Sequence, residues 1–182
     1  IGGPADDGGG ASDIAAAIKL NGNLGAVKYG LFSADEAGAA GRSFHALRLV
    51  RDFSAQNVGL MMTRVERPVL GRQASVLGID HDWRPNARWN VRSRVFGSRI
   101  EQDGSRSSDL GATLWADYEM DHGWRQQWIA MHFGNHLDIN DAGYLARAST
   151  NYLHWQVSRR FTQLPDDSRY SSTDWRWRVS SN

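Results

Sequence analysis

The stretch that decides the fold reads Leu77-Gly78-Ile79-Asp80-His81-Asp82-Trp83 and, after a turn at residues 84–88, Trp89-Asn90-Val91-Arg92-Ser93-Arg94-Val95. Apolar or aromatic residues alternate with polar or charged ones in both runs. Successive side chains of a strand point to opposite faces of the sheet, so one face becomes mainly apolar and the other carries opposite charges. This pattern, repeated along a chain, is typical of the wall of an outer-membrane β-barrel.

The same alternation predicts ten strands, most of them eight to eleven residues long, close to the roughly 9–11 that a tilted membrane strand needs. They are residues 14–21, 26–33, 43–53, 58–66, 75–84, 89–98, 110–120, 124–134, 151–161 and 173–180. We therefore expect an all-β, antiparallel up-and-down meander that forms part of a transmembrane outer-membrane β-barrel over residues 13–182. Residues 1–12 are rich in glycine and predict a linker or loop.

The predicted connections alternate in length along the chain. Residues 22–25, 54–57, 84–88 and 121–123 form tight turns, whereas 34–42, 67–74, 99–109 and 135–150 form longer loops. Outer-membrane barrels place short turns in the periplasm and long loops outside. Both ends of the chain then fall on the outer side, and we expect a piece of a longer barrel whose partners are the rest of that barrel or an upstream periplasmic domain.

Composition restricts the class of protein. A chain of 182 residues has room for one domain with a sizeable core. It contains no cysteine, which excludes disulfides and thiolate metal sites, and its net charge of +1 does not favour nucleic acid as a partner. No apolar run approaches the roughly 20 residues of a membrane helix. Only alternate residues of a barrel strand meet lipid, so outer-membrane lipid remains the expected surroundings.

The polar face of the predicted sheet supplies the candidate lumen-lining residues. Pairing across the tight turns is expected to set Asp80 opposite Arg92, Asp82 opposite Asn90, Glu119 near Arg125 and Asp117 near Gln127. Ion-pair ladders of this kind stiffen a barrel wall and set the local field for passing solutes. On a soluble sheet they would form an exposed ladder worth about 0.2–1 kcal/mol per pair. The lumen-lining set is Asp80, Asp82, Arg92, Arg94, Asp117, Glu119 and Arg125.

Four aromatic residues lie beside the tight turns: Trp83, Trp89, Tyr118 and Trp124. Rings at that height form the aromatic girdle of a barrel, at the level of the lipid headgroups. The alternatives are a packed core and a platform on which sugars stack.

Two further patterns suggest chemistry. Asp138, Asn140 and Asp141 are closely spaced oxygen donors in a glycine-containing loop and are a candidate calcium site, although the twelve-residue calcium loop and its distal glutamate are absent. The alternative is a loop capped by Asx-turns. No zinc-protease, nucleophile-elbow, phosphate-loop or dinucleotide motif occurs, and no catalytic residue is assigned. Asp117 and Glu119 are the carboxylate pair that a glycan hydrolase would use.

Several segments resemble a family of bacterial outer-membrane proteins of uncharacterised function. They are residues 13–22 (DIAAAIKLNG), 57–65 (NVGLMMTRV), 78–84 (GIDHDWR), 123–125 (GWR), 132–133 (HF) and 137–145 (LDINDAGYL). The family is a β-barrel domain that follows a carbohydrate-binding-like domain of family nine type. The resemblance implies an outer-membrane location and a saccharide link through the upstream domain. It implies no cofactor and carries over no catalytic residue.

The expected function is therefore that of an outer-membrane barrel segment in transport, channel formation or surface binding, with a saccharide as a candidate ligand. The main alternative is a soluble antiparallel barrel or sandwich that binds a ligand, and a glycan hydrolase is the third. The first two differ in which face is covered: a soluble fold buries the apolar face, whereas a membrane barrel leaves it exposed to lipid.

Overall fold

The computed structural model describes residues 3–182 and consists of one ten-stranded antiparallel sheet in which each strand pairs with its neighbours along the chain. Ile1 and Gly2, which belong to the predicted linker, lie outside the described residues. The strands are β1 (Ile14–Leu24), β2 (Val27–Glu36), β3 (Ser43–Asp52), β4 (Gln56–Arg67), β5 (Arg72–Trp83), β6 (Trp89–Gln102), β7 (Ser105–Glu119), β8 (Trp124–Phe133), β9 (Thr150–Phe161) and β10 (Thr173–Ser181). The predicted antiparallel up-and-down meander is confirmed.

The sheet is open, since β1 and β10 do not pair with each other within residues 3–182. Helical structure in this part of the chain is limited to two single 3-10 turns, Pro68–Leu70 and Asp121–Gly123. No described helix has the length and apolar character needed to cross a bilayer.

The predicted segregation of short and long connections is wrong. At one end of the sheet, here called the lower end, the strands are joined by residues 25–26, 53–55, 84–88, 120–123 and 162–172. At the other, upper end they are joined by residues 37–42, 68–71, 103–104 and 134–149. Half of the expected loop at 67–74 and most of the one at 99–109 are strand, because β5, β6 and β7 continue three to five residues beyond the predicted boundaries.

The turn at Asp103-Gly104 explains the largest of these differences. Both residues have positive φ, 50° and 77°, as a two-residue hairpin turn requires. Asp-Gly is a strong sequence signal for such a turn, but it is flanked here by polar residues on both faces, which favoured a loop. Arg99 and Arg106 both pair with Glu101, at 2.7 and 3.0 Å, and hold this polar hairpin together.

The strand register gives the sheet two chemically different faces. The face that carries Leu31, Leu77, Ile79, Leu110 and Trp155 is called the apolar face. The opposite face, called the polar face, carries Arg48, Asp80, Arg94, Asp117 and Arg125.

The apolar face is uncovered. Leu77, Ile79 and Leu110 are 49%, 53% and 61% exposed. The accessible surface is 12127 Å², whereas a compact monomer of 20.3 kDa exposes about 8,800 Å². The excess shows that the described chain leaves much surface uncovered that a compact soluble domain of this mass would bury.

The buried core lies on the polar face, near the upper end. Ala34, Val65, Ala74 and Ile100 are buried and form one continuous row from β2 to β6. The fifth buried hydrophobic residue, Leu137, belongs to residues 134–149, here called the covering loop. The core is therefore made between the sheet and a loop that folds over it.

The covering loop fits against the sheet at a glycine. A Cβ added at Gly111 would lie 2.8 Å from both Leu137 and the ring of Phe96, so the absence of a side chain there creates the space that Leu137 fills. The backbone N–H of Asp138 donates to Ser98 Oγ at 3.0 Å. One apolar and one polar contact thus place the start of the loop.

We expect Leu137→Ala to weaken the docking of the covering loop by about 2–5 kcal/mol, because the side chain is 3% exposed and its loss leaves a cavity. The measurement is hydrogen exchange of the Asp138 amide, whose protection reports the closed loop. Tyr144→Ala is the matched control, since that side chain is 83% exposed in the same loop. Equal protection in the two variants would show that Leu137 does not anchor the loop.

Candidate functional site

The polar face brings together all seven residues of the predicted lumen-lining set, since cross-strand register places them on one side of β5 to β8. Two expected pairings are confirmed, Glu119 with Arg125 and Asp117 with Gln127.

The pairing across residues 84–88 differs from the prediction by two residues. Asp80 lies opposite Arg94 and Asp82 opposite Arg92. The reason is that Trp89 and Asn90 pair only with β7, while the side chain of Asn86 accepts hydrogen bonds from the N–H groups of Arg88 and Trp89 and shapes a wider turn.

A bidentate ion pair crosses three strands of the polar face. Arg48 of β3 donates through both terminal nitrogens to the carboxylate of Asp80 on β5, one of these bonds measuring 2.8 Å. Gly59 of β4 lies between them, and a Cβ added there would come within 2.6 Å of Asp80 Oδ2. The Arg48–Asp80 pair therefore requires a glycine on the middle strand, β4.

A second cluster surrounds Asp117, which is 6% exposed. Its Oδ1 accepts from Arg125 Nη2 and from Gln127 Nε2, both at 2.9 Å, and its Oδ2 accepts from Trp115 Nε1 at 3.1 Å. Arg92 lies 3.9 Å away and stacks on the Trp115 ring. Because donors occupy both oxygens of Asp117, this carboxylate holds neighbouring strands together and is not a free acid for the hydrolase alternative.

The upper end of the polar face carries an ion cluster that sequence reasoning missed, here called the arginine latch. Arg72 of β5 binds Asp138 and Asp141 of the covering loop, at 2.7 and 2.6 Å. Arg67 of β4 binds Asp141 at 3.3 Å and Asp6 of the N-terminal segment at 2.6 Å. The latch therefore ties two separate chain segments to adjacent strands.

A further pair extends the latch at β2. Arg42 donates to both carboxylate oxygens of Glu36, at 2.6 and 2.8 Å, and its Nη1 lies 3.7 Å from Asp6. Most of these groups are largely buried, with only 5% and 4% of the Asp6 and Asp141 side chains exposed. Removing one partner from such a cluster leaves a buried charge without compensation, which is costly.

The structure gives the candidate calcium residues a different role. The carboxylates of Asp138 and Asp141 face Arg72, and Asn140 Oδ1 accepts the backbone N–H of Leu145 at 2.8 Å. Within residues 3–182, no three His, Cys, Asp or Glu side chains are grouped so that they could hold a metal ion. The oxygen-rich spacing that suggested calcium serves instead to bind arginine and to cap the loop.

The electrostatics of the latch favour the ionised carboxylates. A hydrogen bond from Arg67 outweighs the effect of burial and lowers the pKa of Asp6. Burial opposes ionisation of Asp138, but hydrogen bonds from the Asn140 backbone and from Arg72 outweigh it, and its pKa is also lowered. Asp6 and Asp138 are thus charged at neutral pH.

The predicted girdle residues share the apolar face near the lower end. Trp89 stacks on Tyr118 with ring centroids 4.5 Å apart, and Trp124 meets Trp175 edge to face at 5.8 Å. The structure brings four more tryptophans to the same face and end: Trp128, Trp155, Trp175 and Trp177.

The residues missed by sequence reasoning are those whose partners are far away along the chain. Arg67 and Arg72 meet residues of the covering loop about 70 positions later, and Arg48 meets Asp80 32 positions later. The one available signal was the run Asp138-Ile139-Asn140-Asp141, whose carboxylates require cationic partners of some kind.

Comparison with protein-family models, with curated proteins and with solved structures found no match to this chain. The family resemblance therefore stays a prediction.

We expect Gly59→Ala to displace the Arg48–Asp80 pair and to leave the protein about 1 kcal/mol less stable than Gly30→Ala. Gly30 is the matched control, because it lies on the same face and a Cβ there meets only Arg48 Cβ, at 4.0 Å. The measurement is the free energy of unfolding in denaturant. In an Arg48→Gln background the difference between the two glycine variants should disappear, and a difference that persists would contradict the role given to Gly59.

We expect the covering loop and the N-terminal segment to remain docked from about pH 5 to 8 and to loosen below about pH 4. The carboxylates of Asp6 and Asp138 have pKa values in the folded protein below the ordinary value of 3.8 for aspartate. Their contribution to docking is therefore present above pH 3.8 and is lost as the pH falls through the lowered pKa values. Hydrogen exchange of residues 134–149, corrected for the intrinsic pH dependence, is the measurement. Loosening centred at pH 6–7 would contradict an origin in these carboxylates.

Proposed function

We propose that this chain is an outer-membrane β-barrel segment that serves in passage of solutes or in surface binding. The observation that carries the proposal is the inverted burial of the sheet. Its apolar face is uncovered, while its polar face holds ion pairs, a covering loop and the buried core. A soluble sheet would instead bury its apolar face, because exposing hydrocarbon surface to water is unfavourable.

The height of the apolar face supports a bilayer as the solvent. On β7 it extends from Leu110 through Leu114 to Tyr118, about 26 Å along the strand at roughly 3.3 Å per residue. A strand tilt of about 35–45° reduces this to roughly 20 Å, near the 25 Å apolar band of membrane barrels. Above the band the same face is ionic, with Arg64 paired to Glu66 and Arg99 to Glu101.

Polar side chains within the apolar band bind one another. His132 pairs with Asn151 at 2.7 Å, and Trp155 donates to Gln126 at 3.2 Å. In hydrocarbon, polar groups must find partners inside the protein, since water is absent.

The register supports the tilt that barrels require. When paired residues are followed from strand to strand, the row that begins at Leu24, the last residue of β1, ends at Ser181 of β10. Ser181 lies eight residues beyond Thr173, the first residue of β10. That is about 26 Å of stagger over about 43 Å of sheet, a slope of roughly 30°. Closed barrels need such a stagger in one direction.

The aromatic residues near the lower end support an interfacial level there, where rings meet lipid headgroups. The open edges at β1 and β10 would pair with further strands or with each other, because hydrocarbon tolerates no unpaired edge. The saccharide link rests on the family resemblance alone.

The first test is extraction. For this test the chain is expressed in bacteria behind an added, cleavable export signal. We expect it in the outer-membrane fraction, resistant to a urea wash and released by detergent. A monodisperse protein that stays soluble without detergent would overturn the proposal and favour the soluble alternative.

A pair of variants tests which face meets lipid. We expect Ile79→Arg to lower the free energy of unfolding in bilayers or detergent by about 2–4 kcal/mol, as arginine does near the bilayer midplane. Gln73→Arg is the control on the same strand and face, opposite Glu101 in the ionic region, with an expected change near 0–1 kcal/mol. Equal small changes would mean that the apolar face does not contact hydrocarbon.

A further inference from the structure

A cavity of about 360 Å³ lies between the polar face and the covering loop. The sheet contributes Met61, Val76, Phe96 and Phe133, and the loop contributes Ile139, Tyr144 and Leu145. The volume lies at the lower end of the range for small-molecule sites, about 300–1,000 Å³. It suits a single aromatic unit with one small substituent.

Gly78 forms the base of this cavity. It lies on the polar face of β5, opposite Phe96, and a Cβ added there would lie 3.3 Å from Phe96 Cβ. Without a side chain, the backbone leaves a flat surface beside an aromatic ring. A planar apolar group can lie on such a surface and contact the loop residues Ile139 and Leu145 from the other side.

One charged group in the cavity, Arg94, is attracted to Asp80 but makes no direct hydrogen bond or ion pair within residues 3–182. Asp80, which lies opposite Arg94 and one row below Gly78, is already bound through both oxygens to Arg48. At the lower side of the cavity, Arg94 is therefore the charged side chain whose hydrogen-bond donors remain available to a ligand.

The neighbouring charges are engaged with one another. Arg92 faces Asp82 in the next row down and lies 3.9 Å from Asp117, and neither of these carboxylates forms an ion pair with Arg94. A guanidinium presents paired N–H donors that match a carboxylate, and such charge-assisted bonds are among the stronger ones. The guanidinium of Arg94, which no carboxylate binds directly, thus favours an anion over a cation at this side of the cavity.

We propose that this cavity binds a small aromatic carboxylate, with its ring on Gly78 and Phe96 under the covering loop and its carboxylate on Arg94. The site is built from the chain's own strands and loop, so the inference goes beyond the proposed function and does not depend on lipid. The covering loop would shield the ring from water, which strengthens the contact with Arg94.

The probe is 2-naphthoate, titrated calorimetrically into the folded protein in whichever medium keeps it monodisperse, with protein-free medium as the blank. We expect saturable binding of one probe per chain. The neutral analogue 2-naphthylmethanol should bind at least tenfold more weakly, because it lacks the charge that Arg94 pairs with. Binding that does not saturate, or equal affinity for the two probes, would overturn the proposal.

Single substitutions test the two parts of the proposed site separately: the guanidinium that binds the carboxylate and the apolar residues that contact the ring. Arg94→Gln should weaken 2-naphthoate at least tenfold and abolish the preference over 2-naphthylmethanol, whereas Ile139→Ala should weaken both probes several-fold and keep the preference. Arg64→Gln is the matched control, an exposed arginine on the apolar face, and should change neither affinity. An undiminished preference in Arg94→Gln, or unchanged binding in Ile139→Ala, would refute the assignment.

Circular dichroism of each variant is the control for folding, since it reports whether the sheet is retained. If Arg94→Gln fails to fold, Arg94→Lys replaces it, since lysine keeps the charge but loses the planar fork. We then expect an intermediate affinity for 2-naphthoate, and an affinity equal to that of the original protein would count against the contact.

Discussion

The ionic contacts of Arg67 and Arg72 with the covering loop are the constraint on which the rest of the structure depends. They hold residues 134–149 on the polar face, where Leu137 completes the buried core. In that position Leu137 fills the space that Gly111 leaves beside Phe96. Electrostatics thus positions the hydrophobic contact, because buried charges need partners while apolar contacts are not directional.

This arrangement reverses the burial that is usual in a soluble sheet, where the apolar face is covered and the polar face is exposed. The polar face is covered and highly connected, with Arg48 bound to Asp80 and Asp117 bound by three donors. The apolar face carries exposed leucines, an ordered aromatic cluster and a sharp transition to ion pairs above. Such a surface needs an apolar surrounding, and the proposed membrane role follows from that need.

The covering loop also links architecture to the proposed ligand site. Its early residues anchor it through Leu137 and Asp138, and its later ones, Ile139 and Leu145, line the cavity above Gly78. One short segment therefore both closes the polar face and leaves a space beside Arg94. Glycines at positions 59, 78 and 111 make this possible, since each leaves room for a neighbouring group.

The sequence by itself determined the strands, their antiparallel order and which residues share a face, because side-chain alternation with period two is a local property. It could predict the Asp117–Gln127 and Glu119–Arg125 pairings across a tight turn. It misjudged the turn after Trp83 by two residues and interpreted the polar hairpin at Asp103-Gly104 as a loop. Only the tertiary structure decided that Asp138 and Asp141 bind arginine and that Arg94 makes no direct hydrogen bond or ion pair within residues 3–182. Those outcomes depend on residues 30 to 70 positions apart, and nothing local in the chain specifies their contact.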